Sequence, residues 1–214
     1  MYIGIMPLPA ALAHRIQTRA APCRPLLPEG TQHGLALGRV HEACGPARHR
    51  FALWLAAQTK GPVLWITLDW SSEALNPCGI MPFIDPARLI LVHAKRADDV
   101  LWSMEEVLRA GTVPLAIADL PGLPGLTPVR RMHLAAENGG KGKGDAPLGL
   151  LLTPGMGGAQ GVESRWHLVA DHKGSPGRWR LTRLRARTAP EQTWEVTRTP
   201  GQPLPRISGS IKAA

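Results

Sequence analysis

Residues 62–152 carry four short runs that are almost wholly apolar: PVLWITL (62–68), RLILVH (88–93), VPLAIA (113–118) and LGLLL (148–152). Runs without polar alternation form strands when both faces of a sheet are covered, the condition of a parallel sheet in an α/β fold. The intervening segments supply the cover. Residues 48–59 place Phe51, Ala52, Leu55 and Ala56 at helical spacing, and residues 97–110 carry a stripe of Val100, Leu101, Met104, Val107 and Leu108. Asp98 and Asp99 open this second helix, Arg109 sits in its last turn and Gly111 lies just beyond, as the helix dipole and the C-cap prefer. Thr127-Pro128 reads as an N-cap followed by proline, opening a third helix to about Asn138 with Gly139 as the stop. A mixed run over 39–44 reads as one more strand, feeding the Gly45-Pro46 turn.

Strands and helices alternating at this pace imply a mostly parallel sheet with right-handed crossovers. After about residue 163 the pattern changes. Residues 164–170, 178–187 and 192–198 read as amphipathic strands with Trp166, Leu168, Leu184, Trp194 and Val196 facing inward, and their short separations imply antiparallel pairing. Residues 1–34 read as a flexible arm with a short helix over 10–19, interrupted by Pro22, Pro25 and Pro28. Residues 35–198 make one core domain, and 199–214 read as a flexible, Pro, Gly and Ser-rich tail. The loops GGKGKGD (139–145) and PGMGGAQG (154–161) read as mobile.

Composition narrows the function classes. The chain has 214 residues, enough for one domain with a sizeable core. No run of about 18 apolar residues points to a membrane span, and no secretory leader is recognisable, so the expected compartment is the cytoplasm. Three dispersed cysteines and eight scattered histidines indicate neither a disulfide framework nor a metal site, and no cofactor is implied. The net charge of +9 favours nucleic acid or acidic surfaces as partners. It is uneven: from residue 165 onward ten Lys or Arg face three Asp or Glu.

The stretch LALGRVHEACGP (35–46) is similar to the lead-in to the phosphate loop of RecA recombinases, a strand followed by Gly-Pro. Here Ala47-Arg48-His49-Arg50-Phe51 follows directly, so the loop is shortened and lacks the lysine and hydroxyl of GxxxxGK[ST]. WITLD (65–69) resembles the strand ending in the catalytic acid of that family, IDPARLILV (84–92) the next strand and its lead-in, and AIAD (116–119) the strand ending in a metal-organising aspartate. A RecA-like core with a degenerate phosphate loop (Gly45, Pro46, Ala47, Arg48) resembles two families, ImuA and SulA. RRMHLAAE (130–137), Arg165-Trp166 and RWRL (178–181) resemble ImuA more closely. That resemblance implies a non-catalytic accessory protein of the SOS response. It would act in translesion synthesis, near the nucleoid on DNA damage, through contacts with an ImuB-like relative of Y-family polymerases, an error-prone replicative-type polymerase and RecA. The alternatives are a SulA-type inhibitor of FtsZ, a residual NTPase, and direct nucleic-acid binding.

Asp119 stands at the Walker-B-like position, but without the lysine and hydroxyl little would hold a nucleotide, so a strand-end residue capping the next turn is the plainer reading; Asp69 is judged the same way. Arg48, His49 and Arg50 stand where helix N–H groups favour anions, yet as cations they oppose the dipole and read as a solvated face. Arg183, Arg185 and Arg187, two apart on a strand, would share one face, with Arg178 and Arg180 nearby. This stripe, with Arg206 and Lys212 in the tail, is the candidate surface for DNA or an acidic partner. An exposed face that discourages edge aggregation is the plainer alternative.

Overall fold

The computed structural model describes residues 22–30, 33–71, 75–142, 144–172 and 177–211. The short helix expected over 10–19 and Lys212 lie outside them.

The chain lays down β1 (Cys23–Pro25), β2 (Gly34–Ala36), β3 (Val40–Cys44), α1 (Arg48–Ala57), β4 (Val63–Leu68), the single turn α2 (Pro77–Ile80), β5 (Leu89–Ala94), α3 (Ala97–Ala110), β6 (Leu115–Asp119), α4 (Leu126–Gly139), β7 (Leu148–Thr153), β8 (Ser164–Ala170), β9 (Arg178–Ala186), β10 (Gln192–Thr197) and β11 (Arg206–Ile211). Nine of the strands form one sheet in the order β11-β10-β9-β8-β3-β7-β6-β4-β5, and β1 and β2 pair separately as an antiparallel ribbon. From β8 to β5 all neighbours are parallel, and β9, β10 and β11 continue the sheet antiparallel. The fold is therefore an α/β architecture with a large, mostly parallel sheet extended by antiparallel strands. The change of direction falls between β8 and β9.

Helices cover both faces of the parallel part, which is why its strands need no polar alternation. On one face α1 buries Phe51, Ala52, Leu53, Trp54, Leu55 and Ala56 in succession, because Leu26, Leu27 and Leu35 from the β1–β2 ribbon pack into the same layer. The ribbon thus occupies ground read from the sequence as a flexible arm. On the other face α3 contributes Val100, Met104 and Leu108, and α4 contributes Val129, Met132, Ala135 and Ala136, against Val40, Ile66, Ala116, Ala118 and Leu151 of the sheet. Helix α3 runs over the residues its pattern indicated and ends on Gly111 at φ 62°, whose N–H donates to Val107 O. Helix α4 starts earlier than Thr127: Gly125 is its N-cap, without a side-chain cap, and Pro128 falls within the first turn, where its missing N–H costs nothing.

Two further expectations are corrected. The run at 89–94 is the sheet's edge rather than a strand covered on both sides, with Ile90 46% and Leu91 49% exposed. Residues 206–211, within the segment read as a tail, instead form β11, pairing Thr193 with Ile211 and Thr197 with Arg206. Composition misled there because the Pro and Gly cluster lies in the turn before this strand. Among the described residues no helix is long and apolar enough to cross a membrane.

The C-terminal ends of helices α3 and α4 meet where Gly111 packs on Gly139. A Cβ on Gly139 would lie 2.1 Å from Leu108 O, a backbone atom that cannot swing away. Gly139→Ala is therefore expected to lower stability by about 1–3 kcal/mol, the usual cost of overpacking, seen as a lower urea midpoint with an unchanged slope.

His41, in β3, is wholly buried: Nε2 donates to Ala36 O at 3.0 Å, so Nδ1 accepts the Ser164 hydroxyl at 2.7 Å. Burial pushes its pKa down from 6.5 to about 4. The unfolded chain takes up this proton near 6.5 whereas the folded chain does so only near 4, so stability falls as pH drops through that window. His41 should make the chain roughly 2 kcal/mol less stable at about pH 5 than at about pH 7, and the dependence should shrink in His41→Gln, as read by denaturant titration at each pH.

Candidate functional site

In parallel α/β sheets the strand ends that lead into helices, where the chain order reverses, form the natural crevice for ligands. Here that edge brings together the end of β3, the start of α1, Asp119 at the end of β6, and the loop after β7.

The β3–α1 turn is closed off by backbone. Gly45 sits at φ 90°, and a Cβ there would lie 2.7 Å from both His167 Cδ2 and Leu168 O, so only glycine fits. Its N–H donates to Gly155 O at 2.9 Å, and the Ala47 N–H donates to Leu168 O at 3.1 Å. In a phosphate-binding turn such N–H groups converge on the anion. Here both point into protein carbonyls.

What holds Gly155 over the turn is Glu42, in the middle of β3 and 0% exposed. Its Oε1 accepts from Thr153 Oγ at 2.6 Å, Gly158 N at 2.8 Å and Ala159 N at 3.1 Å, while Oε2 pairs with Arg165 Nε. Burying a lone carboxylate costs several kcal/mol, and these four donors offset it. The side chain also fits closely against Gly157, where a Cβ would stand 2.7 Å from Oε1. Residues 154–161, read as mobile from their glycines, are therefore fastened. His133 of α4 ties the far end: its Nε2 donates to Gly161 O at 3.0 Å and its Nδ1 accepts from Val40 N at 3.2 Å. Cys44 is buried, donates to Trp166 O at 3.3 Å, and its thiol is pushed up to about 12, first by burial and then by the Glu42 charge. A thiol in that state is a packing group, not a nucleophile.

Beside this closed turn lies a cleft of about 370 Å³ lined by Arg48, Thr67, Trp70, Ser71, Asp119 and Pro121. Asp119, 8% exposed, accepts from His49 Nε2 at 2.6 Å and faces Arg48 Nε at 3.8 Å. Two of the three basic residues expected to be a solvated face, Arg48 and His49, are thus turned onto the strand-end carboxylate. Trp70 stands 65% exposed at the rim, while Asp69 is exposed and not among the lining residues. Among the described residues no group of three or more His, Cys, Asp or Glu could hold a metal.

The arginine stripe is split by a β-bulge. Pairing shifts between Arg165 and Trp166 of β8, which face Arg185 and Arg183 of β9, leaving Leu184 as an extra residue. The alternation of faces breaks there. Arg183 turns into the core beside Trp166 and Trp194 and is 6% exposed, Leu184 is half-buried rather than inward, and Arg185 and Arg187 remain exposed. Arg187 faces Glu163 at 3.4 Å, Arg178 bonds Glu195 at 3.2 Å and Arg180 bonds Asp171 at 3.4 Å. Arg206 is exposed at the start of β11. The basic residues therefore form dispersed, partly paired positions instead of one row.

Sequence reasoning missed Glu42. The available signal was an acid inside a strand that had to be buried; its partners, Arg165 beside it in β8 and Thr153 opposite Cys44 in β7, lie too far along the chain to show. No protein-family model matches this chain, and no curated protein matches it in sequence.

Glu42→Gln keeps the shape of the side chain but strips its charge from a buried pair. It should cost about 3 kcal/mol of stability. Amide hydrogen exchange at Gly158 and Ala159 should speed up more than at Leu115–Asp119 of β6.

Proposed function

We propose that this chain is a non-catalytic accessory protein of DNA-damage-induced mutagenesis, built on a RecA-like core whose phosphate loop, at Gly45, Pro46, Ala47 and Arg48, is degenerate. The observation that carries the proposal is the state of the β3–α1 turn. Gly45 and Ala47, whose N–H groups would cradle a phosphate, donate instead to Gly155 and Leu168. Together with the missing lysine and hydroxyl in the sequence, this leaves the edge suited to holding its own loop rather than a triphosphate.

A core of this shape without nucleotide chemistry acts by contact. Partners that fit the resemblance to the ImuA family are an ImuB-like relative of Y-family polymerases and an error-prone replicative-type polymerase, with RecA as a further contact. The exposed Arg180, Arg185 and Arg206 of the antiparallel strands, in a chain of net charge +9, suit an acidic or phosphate-bearing surface in such an assembly.

The deciding experiment is the ultraviolet-induced mutation frequency of the native host with and without a clean deletion of this gene. The proposal expects the frequency to fall toward the spontaneous level and a restored copy to bring it back. An unchanged induced frequency would overturn it.

A further inference from the structure

The first turn of α1 carries Arg48, His49 and Arg50 and no acidic residue, and its N-cap, Ala47, makes no side-chain cap. Asp119 answers Arg48 and His49. Arg50 lies elsewhere, its guanidinium carbon 4.6 Å from the centre of the Phe83 ring. A second guanidinium, that of Arg198 just past β10, lies 5.0 Å from the centre of the same ring. Two cations held to one ring stand within about 10 Å of each other, a separation that salt at about 0.1 M screens only in part.

Among the described residues no carboxylate offsets this pair. Its one side-chain hydrogen bond runs from Arg198 Nη1 to Gln202 O at 2.7 Å, and Arg198 Nε is buried without a hydrogen-bond partner. On the neighbouring strand Arg178 and Arg180 do meet acids, Glu195 and Asp171. Burial, and then the charge of Arg198, holds the Arg50 pKa below the ordinary guanidinium value.

The arrangement is built rather than loose. Phe83 is 7% exposed, belongs to the core on the α1 face, and donates its N–H to Ile80 O at 2.8 Å. Arg50 is carried by its helix. The Arg198 N–H donates to Gly177 O at 2.8 Å, and a Cβ on Gly177, at φ 86°, would stand 2.7 Å from Arg198 O. Three elements thus set two positive charges around one ring, and the positive end of the α1 dipole adds to them. Both arginines are half-buried, so a bond to an incoming anion is strengthened by desolvation while access is kept. A carboxylate offers two oxygens in one plane, enough for one guanidinium fork. A phosphate carries its oxygens around a centre and can meet two forks that approach from different directions.

We propose that Arg50 and Arg198, set around Phe83, form a binding site for a phosphate group, free or carried on a nucleic-acid backbone. The site is separate from the Gly45 turn, whose N–H groups are bonded to protein carbonyls, and it holds whether or not the accessory-protein reading does.

The test is a calorimetric titration of the full chain at fixed pH and low salt with inorganic phosphate, a short oligothymidylate and acetyl-Glu-amide. The proposal expects saturable binding of at least one phosphate probe and at least about tenfold weaker binding of acetyl-Glu-amide. Arg50→Gln and Arg198→Gln should each weaken that phosphate probe by about tenfold, the loss of one charge-assisted bond. Lys60→Gln removes the same charge beyond the other end of α1 and should leave the affinity within about twofold. Should an arginine variant fail to fold, magnetic resonance of the parent decides: the Arg50 and Arg198 Nε–H signals and those of the Phe83 ring should shift in step with saturation. Tighter binding of the oligothymidylate assigns the phosphate to a nucleic-acid backbone, and tighter binding of inorganic phosphate to a free ion; either supports the site. Absence of saturable binding by both phosphate probes, an affinity untouched by both arginine substitutions, shifts confined to other arginines, or acetyl-Glu-amide binding as tightly as phosphate would each overturn the proposal.

Discussion

The carboxylate of Glu42 sets the terms for one whole edge of this protein. A buried negative charge must be matched wherever it is placed, and β3 places it at the centre of the sheet. It is satisfied by reaching forward to the loop after β7 and sideways to Arg165 of β8. The loop is thereby drawn across the end of β3, Gly155 meets Gly45, and Leu168 meets Ala47. Two glycines in this stretch answer a contact: Gly45 makes room for β8, and Gly157 makes room for Glu42 itself. In a nucleotide-binding turn a bound anion gathers backbone N–H groups. Here an internal carboxylate gathers those of Gly158 and Ala159, and the turn is left to pack.

Much of the architecture was legible because burial on two faces leaves a plain mark. The runs at 63–68, 115–119 and 148–153 are strands for the reason their composition implied, and α3 keeps its dipole and cap signals. The run at 89–94 carries the same mark yet lies at the edge, since apolar composition records propensity and not the number of neighbouring strands. The site was less legible. A pattern of alternate arginines holds only while the strand stays regular, and the bulge at Leu184 exchanges faces without any glycine or proline to announce it. The hydrogen bonds of Glu42 join residues more than a hundred positions apart, beyond the reach of local pattern. Arg48 and His49 looked misplaced at a helix start because their partner, Asp119, is seventy positions away from His49.

The bulge has a further effect on the distribution of charge. Had β9 continued regularly, Arg183, Arg185 and Arg187 would have lain on one face, with nothing to separate core from solvent at that end of the sheet. The bulge ends that alternation: Arg183 stays inward with Trp179 and Leu181, among Trp166, Trp194 and His33, while Arg185 and Arg187 are turned outside. The antiparallel strands thus carry an aromatic layer on the α1 side, where Trp54 meets Trp179 at 5.3 Å, and a polar, solvated surface on the other.

The sheet order also fixes a sequence of events. β4 and β5 are neighbours and can pair as soon as the chain reaches Ala94, with only the short α2 segment between them. β3, made earlier, pairs with β7 and β8, so Val40 waits for Gly149 and Cys44 for His167. Closing such long loops is slow because the entropy is lost before the contacts repay it. During synthesis the oldest strand of the main sheet is therefore among the last to find its neighbours, and the Gly45 turn takes shape only when most of the chain has emerged. A carboxylate destined for the interior spends that interval in water, where it keeps β3 soluble until Thr153 and Arg165 arrive.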